Sequence, residues 1–589
     1  MTKPDRRPLR LRQRSYVLHS LLTQKLAQKS MVVLCDAPGG GILERLVTSE
    51  EIRDMGVIEL VDLEHASTFD TECDVCLVWC IGSDTNCVHI DALCQRPNVK
   101  SVSVHAITTH QASAMRQLRR LPKVAVATGY GIDFLSLDDN SAAVAVRSAL
   151  GQPTWSRLSL PEEYGGMNMD DRSETLSWLA SGAGDAIATM DLEPIVGHFP
   201  GAMGSIVAAI MHSLIRAQQK ERVAAKTEKK VTGVRPLLLV LERGIDLRAP
   251  LMTSSLLGAA TYNMQGLDFK ATDRTAFLDV VLLLPVDEAV VRCGAYSLEL
   301  AAELKRVVPK QPDDPVHDWI HDRKTLVRHY MSVLGREIRL LPKIQAMVTW
   351  VHHCCVTQQI YMLALAGQQL SSQSPTNAVL DGLLLSDQVD KEDKLALLLQ
   401  LALLGHPLTE HYEAMLRERD GIDTDALHYI QSWPAPLGEP ASVDSGALRV
   451  VEMVQALTGE LDVEVTATAR TCVDHMLLLD PRQPLGTPGT SSDNLDPTQL
   501  LGCVPEVVVL MIGGAAVSEQ VALQARVAAP TTYLFSHMLS TGEFGRELTA
   551  MGKAHAMRAA AEADEEAFQD AFETEMAALR LDDSDASTE

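Results

Sequence analysis

Short apolar runs alternate with stretches of helical periodicity at the start of this chain. The runs are MVVLCD (31–36), VIELVDL (57–63), DVCLVWCIG (74–82) and VKSVSVHAI (99–107). Runs this short, set between polar turns, read as strands buried in a sheet. Strands alternating with helices imply βαβ units and parallel pairing, so the first domain is predicted as a small doubly wound α/β layer. Between the first two runs, TSEEIRDMG (48–56) opens with Thr48 and Glu51 spaced as a capping box, which starts a short helix.

A further buried strand is predicted in PLLLVLERGIDLRAPL (236–251). Five apolar residues, Leu237 to Leu241, run into a charged elbow, Glu242-Arg243-Gly244-Ile245-Asp246, and Pro250 opens a mostly helical region. That region is helical apart from one apolar run at 278–284. Within it Leu326, Tyr330, Leu334, Ile338 and Leu341 repeat at helical spacing, a stripe that reads as core. The pattern breaks at VVPKQPDDP (307–315), where Pro309, Pro312 and Pro315 mark a surface hairpin tip between two helices. Two further Pro/Gly-rich stretches, 434–446 and 481–497, punctuate the later chain, and the second reads as a disordered loop. The end, 554–589, is acidic, with Phe568, Phe572, Met576 and Leu579 on one helical face: a mobile tail, or a helix that docks on a partner.

Composition narrows the class. A chain of 589 residues exceeds one core and suggests two to four domains. The net charge of −25 argues against a nucleic-acid binder. No window of eighteen consecutive apolar residues is present, so no bilayer span is expected. The 11 cysteines sit in apolar stretches, which fits a reduced cytosolic protein with buried thiols better than a disulfide framework. The basic N-terminus, RRPLRLRQRSYVLHSLL, reads as a first helix packed on domain one, the alternative being a mitochondrial presequence.

Candidate chemistry is sparse. DAPGGG (36–41) follows the first strand as a phosphate loop would, but lacks the Gly-Lys-Ser/Thr that places a lysine on phosphate, and reads as a flexible turn. Gly201 and Gly204 precede an apolar helix with no cation placed for an anion. His352-His353-Cys354-Cys355 cannot converge on one metal, because neighbours on a helix point about 100° apart. No catalytic residue, metal site or cofactor is predicted. The elbow leaves two readings: Arg243 and Asp246 as a buried structural ion pair, which is preferred, or Glu242, Arg243 and Asp246 as the site of an α/β enzyme at the strand ends.

The elbow resembles the ILDR-x-x-D-x-x-x-P pattern of the Sec/Munc (SM) family, the cytosolic regulators of SNARE-driven membrane fusion. Other pieces occur in the same order. RDMG (53–56) and the strand around it resemble SVKELRDMGITLHLL of the Sly-type branch, which serves traffic between endoplasmic reticulum and Golgi. GIDFLSLDD (131–139) resembles the YLNFITLEDD that closes domain one. KEDKLALLLQLALLG (391–405) resembles EDKMRLFLIYYI, and HYIQSW (428–433) resembles QYIKQW. VPEVVVLMIGGAAVSEQ (504–520) resembles EAIVFVVGGGNYIEY. The family's H-x-x-T/W-x-Y-Q signature after the elbow is absent, with Leu251-Met252-Thr253-Ser254 in its place.

The resemblance implies an α/β plus α fold: an SM-type three-domain clasp with two parallel α/β sheet domains and a mostly helical inserted domain. Domain one would span 1–140, domain two 141–247 and 435–553, and the helical insert 248–434, followed by an acidic extension at 554–589. The run at 504–514 should then pair in parallel beside Leu237–Leu241. A non-enzymatic protein is implied, which binds a syntaxin-type SNARE and assembled SNARE bundles, promotes SNARE assembly for vesicle docking and fusion, and has tethering factors as further partners. It would act as a cytoplasmic monomer associated peripherally with ER and Golgi membranes. An endosomal or vacuolar SM branch is the alternative. By position, the pocket for a syntaxin N-terminal peptide falls on Ile107, Ala112, Met115, Leu118, Val124 and Val126. The SNARE-templating hairpin, with its tip near 305–319, falls on Leu304, Val307, Val308 and Trp319. Arg243, Asp246 and Pro250 form the structural elbow. The hairpin tip is shorter than the Sly-type loop, so loop-based autoinhibition should be missing or reduced.

Overall fold

A computed structural model describes the chain except residues 1–8, 26–29, 69, 81–83, 108–115, 130, 145–168, 201, 225–234, 266–274, 308–315, 373–376, 407–408, 433–447, 461–472, 484–496, 559 and 561–589. It divides into two compact units. One comprises 1–250, 254–361 and 445–540; the other comprises 251–253, 362–444 and 541–589. The helical insert expected over 248–434 is therefore divided, because 254–361 clusters with the sheets.

The first unit contains two main sheets. In the first, β1 (Met31–Cys35), β2 (Val57–Asp62), β3 (Cys73–Cys80), β4 (Val99–Ala106) and β5 (Val124–Gly129) lie in the order β2-β1-β3-β4-β5, all parallel. Every residue of β1 is buried, which explains why its sequence shows no alternation. The capping box forms as predicted: Thr48 accepts from the Glu51 N–H, and Glu51 accepts from the Thr48 N–H at 2.8 Å. DAPGGG is not a loop. Asp36 caps the helix Ala37–Leu46 by accepting from the Gly39 N–H, and a Cβ on Gly39 would lie 2.4 Å from the Trp79 carbonyl oxygen. Glycine here allows helix and strand to approach, rather than flexibility.

The second sheet has seven strands. To β6 (Phe134–Ser136), β7 (Ser141–Val144), β8 (Ile195–His198) and β9 (Leu237–Glu242) it adds β10 (Leu477–Leu479), β11 (Val507–Ile512) and, after the two-residue β12 (Ala515–Ala516), β13 (Thr531–Phe535). The order is β10-β8-β9-β11-β13-β7-β6. At its centre β9 and β11 pair in parallel, Leu237 opposite Val507 through Glu242 opposite Ile512, as the family resemblance implies. The segment expected to close domain one instead supplies an edge here: β6 pairs antiparallel with β7, so the sheet boundary falls before Phe134 rather than at 140. A short final strand, β14 (Met538–Leu539), pairs with β12.

The first helix, Leu9–Lys25, ties these layers together. Buried Gln13 donates to the carbonyls of Ile132 and Phe134 and accepts from the Ser136 hydroxyl at 2.9 Å. Arg14 pairs with Glu51, and Arg12 donates to the Thr189 carbonyl at 2.9 Å. Arg12 and Arg14 are therefore spent on structural contacts.

In the helical part of the first unit, the apolar run at 278–284 is not a strand. Thr275 caps a short helix, Ala276–Val281, and a turn follows. Apolar length alone cannot separate a buried strand from a buried helical turn. Two long helices, Val286–Val307 and the 42-residue Val316–Thr357 with Pro342 inside it, pack around Phe277, Val286, Leu300, Leu341, Ile344 and Val348. Of the predicted stripe, Leu341 is buried and Ile338 is 38% exposed. The side chains of Leu326, Tyr330 and Leu334 fall outside the described residues. Cys355 is buried in this core while Cys354 is half-buried, and no group of three or more metal-ligating side chains is assembled among the described residues.

The second unit is helical. Lys394, from the KEDKL motif, is buried on helix Lys391–Leu403 and pairs with Asp420 at 2.7 Å. Tyr429, from HYIQSW, is buried and meets the His555 ring edge-on. The face carrying Phe568 and Phe572 lies outside the described residues.

Candidate functional site

The elbow lies at the carboxyl end of β9, where α/β folds commonly hold ligands. Its chemistry is internal instead. Arg243 is fully buried, and its guanidinium donates to both carboxylate oxygens of Glu519, at 2.8 and 2.6 Å, and to the Gly514 carbonyl at 3.3 Å. Burial works against the Arg243 charge, but Glu519 outweighs it and the pKa is raised. Glu519 also accepts from the Tyr533 hydroxyl at 2.8 Å and from the Ala516 N–H at 3.1 Å. Burial, then Glu519, push the Tyr533 pKa well up.

Asp246 is thus not the partner of Arg243. It accepts from the backbone N–H groups of Arg248, Ala249 and Arg449 at 3.0, 3.2 and 3.3 Å. The reason is geometric: β9 and β11 are neighbours, and the turn after β11 places Glu519 on the first turn of the helix Val517–Arg526, above Arg243. Pro250 sits in the short helix Arg248–Leu251 that Asp246 starts, and the Ala249 carbonyl accepts from Ser518 at 3.1 Å. Glu242 accepts from the Gly204 N–H, so the first turn of the helix Ala202–Ala224 is capped by a carboxylate of the same sheet. The elbow is a pin, with its charges turned on one another.

The residues assigned by position to a peptide pocket in domain one divide. Ile107 and Leu118 are fully buried, and Leu118 belongs to the core of the first sheet. Val124, on edge strand β5, packs partly against the same core, and Val126 is 42% exposed. Ala112 and Met115 lie outside the described residues. At the hairpin, Leu304 and Val307 lie near the end of helix Val286–Val307, and Trp319 near the start of Val316–Thr357. Their side chains and Val308 are outside the described residues. Exposed apolar residues occur earlier on the same helix: Val291 is 73% and Leu298 74% exposed, seven positions apart and so on one face. Sequence reasoning passed over them, although the heptad spacing was legible.

No family model matches the sequence, and no curated protein does either. Solved structures match over nearly the whole chain. The structure of Sly1p in complex with an N-terminal peptide of Sed5p superposes with a TM-score of 0.71 at 14% identity, covering 93% of this chain and 99% of that one. The SM protein Vps45 in complex with the Qa SNARE Tlg2 gives 0.69 at 13% identity, covering 93% and 98%. The Unc18–syntaxin 1 complex from Monosiga brevicollis gives 0.61 at 14%, covering 91% and 98%. This chain has the SM-protein fold. The resemblance carried by RDMG, KEDKL and HYIQSW therefore extends to the architecture, and the elbow strand takes a central place in the larger sheet of that SM fold. No helix among the described residues is long and apolar enough to cross a membrane.

Proposed function

We propose that this protein is an SM-type regulator that binds a syntaxin-type SNARE and assists SNARE assembly at ER–Golgi membranes, acting from the cytoplasm without covalent chemistry. The observation that carries the reading is the SM fold over 93% of the chain, shared with an SM protein solved in complex with a Qa SNARE. The elbow supports it, because Arg243 and Glu519 consume each other's charge and offer a substrate nothing. Val291 and Leu298 supply an apolar helix face of the kind that holds a partner helix in register, which lowers the entropic cost of nucleating a bundle. RDMG, KEDKL and HYIQSW favour the Sly-type branch over the endosomal or vacuolar one. Val126 is the described candidate that reaches the domain-one surface for an N-terminal peptide.

The test is fluorescence anisotropy of the purified full-length protein with labelled N-terminal peptides of the same cell's syntaxins. Selective binding of the ER–Golgi syntaxin peptide is expected, lost when its aromatic anchor becomes alanine. Preference for an endosomal syntaxin peptide would move the assignment to the other branch. If no peptide binds and Leu298→Asp leaves SNARE assembly unchanged, the SNARE reading is wrong.

A further inference from the structure

The chain carries 77 Asp and Glu in 589 residues, yet the 41 residues from Ala92 to Ile132 contain none, where about five would be expected. The same stretch holds six basic residues, Arg96, Lys100, Arg116, Arg119, Arg120 and Lys123. The fold gathers them along β5, at one edge of the first sheet, and at the adjoining ends of β4 and β5. Leu118 is fully buried in the core of that sheet, so the turn around it directs Arg116, Arg119 and Arg120 outwards, and all three are exposed. Lys100 is matched by Asp74 at 2.8 Å. Arg96, Lys123 and Arg119 are held differently: they donate to the carbonyls of Ser67, Arg96 and Ala127, neutral acceptors that leave the charge standing. At the opposite edge of the sheet, in and beside β2, Asp54, Glu59, Asp62 and Glu64 are exposed. The first sheet is therefore polarised from edge to edge, positive at β5 and negative at β2.

We propose that the β5 edge is the face this protein lays on an anionic lipid bilayer. A bilayer reads the density of charge rather than a register, and clusters of roughly four to eight Lys and Arg are what anionic headgroups attract. The polarity across the sheet supplies the orientation, turning β5 towards the lipid and β2 away from it. A peptide strand added at β5 is disfavoured, because Arg119 already occupies the Ala127 carbonyl of that strand at 3.2 and 3.3 Å. Nucleic acid is disfavoured by the net charge of −25 and by a stretch whose one Phe, Tyr or Trp on which a base could stack is Tyr130. Vesicles without protein test this surface alone, so its failure would leave the SNARE reading standing.

The experiment sediments the full-length protein, at physiological ionic strength, with protein-free vesicles of phosphatidylcholine alone or mixed with phosphatidylserine. Saturable binding to the mixed vesicles, and none to phosphatidylcholine, is expected. Each basic residue at an anionic surface is worth about fivefold, so Arg116→Gln with Arg120→Gln should weaken binding about thirtyfold. Those substitutions leave the Arg119 and Lys123 contacts in place, and thermal unfolding checks that the fold is kept. Arg116→Lys with Arg120→Lys keeps the charge and should keep the binding. No binding to the mixed vesicles, equal binding to phosphatidylcholine, or full binding by the glutamine variant overturns the proposal. So does a loss in the lysine variant as large as in the glutamine variant, since a bilayer reads charge rather than guanidinium shape. Fluorescein-labelled polyglutamate is the last arm: if it binds and the mixed vesicles do not, the edge serves an acidic protein segment and the lipid proposal fails.

Discussion

Two joints in the first unit bury ionisable groups, and they solve the problem in opposite ways. At the elbow, Arg243 and Glu519 meet as cation and anion with no solvent exposure, and each carries the opposite charge the other needs. Where the chain passes from the first sheet to the second, Asp185 accepts from the Asp133 N–H at 3.3 Å with both residues buried, so two carboxylates face each other's field. Burial first, and Asp133 second, push the Asp185 pKa up to about 8, although the Asp133 N–H pulls the other way. A matched pair fixes geometry over a wide pH range. An acid held next to another acid must keep its proton, and so makes its joint depend on pH.

Breaking the matched pair should have the largest effect. Glu519→Gln leaves Arg243 charged and buried without its counter-ion, and should lower unfolding stability by ~3–5 kcal/mol in urea titration. Replacing the pair together, Arg243→Met with Glu519→Leu, should restore most of that loss, because the desolvation cost disappears along with the attraction. A double variant as unstable as the single one would mean that the contacts to Gly514 and Tyr533, rather than the charges, hold the elbow.

The second joint should show itself as a slope. In the folded state Asp185 keeps its proton until about pH 8, whereas in the unfolded chain it ionises in the usual carboxylate range. The folded state therefore binds more protons between those limits. Its stability is greatest below the ordinary carboxylate pKa and falls as pH rises towards 8, by at most ~1.4 kcal/mol per pH unit. Asp185→Asn removes the titration, and should flatten that part of the pH profile and raise stability at pH 8. A slope unchanged in the variant would place the pH dependence elsewhere.

What the amino-acid sequence reveals about this molecule follows the range of each interaction. The strands β9 and β11 are legible because burial on both faces leaves a continuous apolar signal, while their pairing with each other is implied by the family resemblance and not by that signal. The Thr48–Glu51 cap is legible because it closes within three residues. The partner of Arg243 is not: Glu519 lies 276 positions away, and a nearby aspartate offers a more obvious mate. The same holds for Asp133 and Asp185, 52 positions apart, whose pairing depends on how two layers stack. Among candidate site residues, the sequence could not say that Ile107 and Leu118 are both fully buried, because periodicity marks a face without saying what covers it.

Asp246 provides the finest test of the comparison, since it is charged and close to Arg243 yet belongs to neither joint. Its carboxylate accepts from the Arg248 and Ala249 N–H groups at the start of a short helix and from the Arg449 N–H across the domain. That is the work of a helix cap, and Asp246→Ala should cost ~1 kcal/mol, while Asp246→Asn, which keeps an acceptor oxygen, should cost only a few tenths. Urea midpoints of the two variants, measured beside Glu519→Gln, give the ranking directly. If Asp246→Ala proved as damaging as Glu519→Gln, the aspartate would be sharing the guanidinium's charge, and the elbow would be a three-membered ionic network. A small loss confined to the alanine variant would leave Glu519 as the counter-ion and Asp246 as the residue that turns the chain from strand into helix.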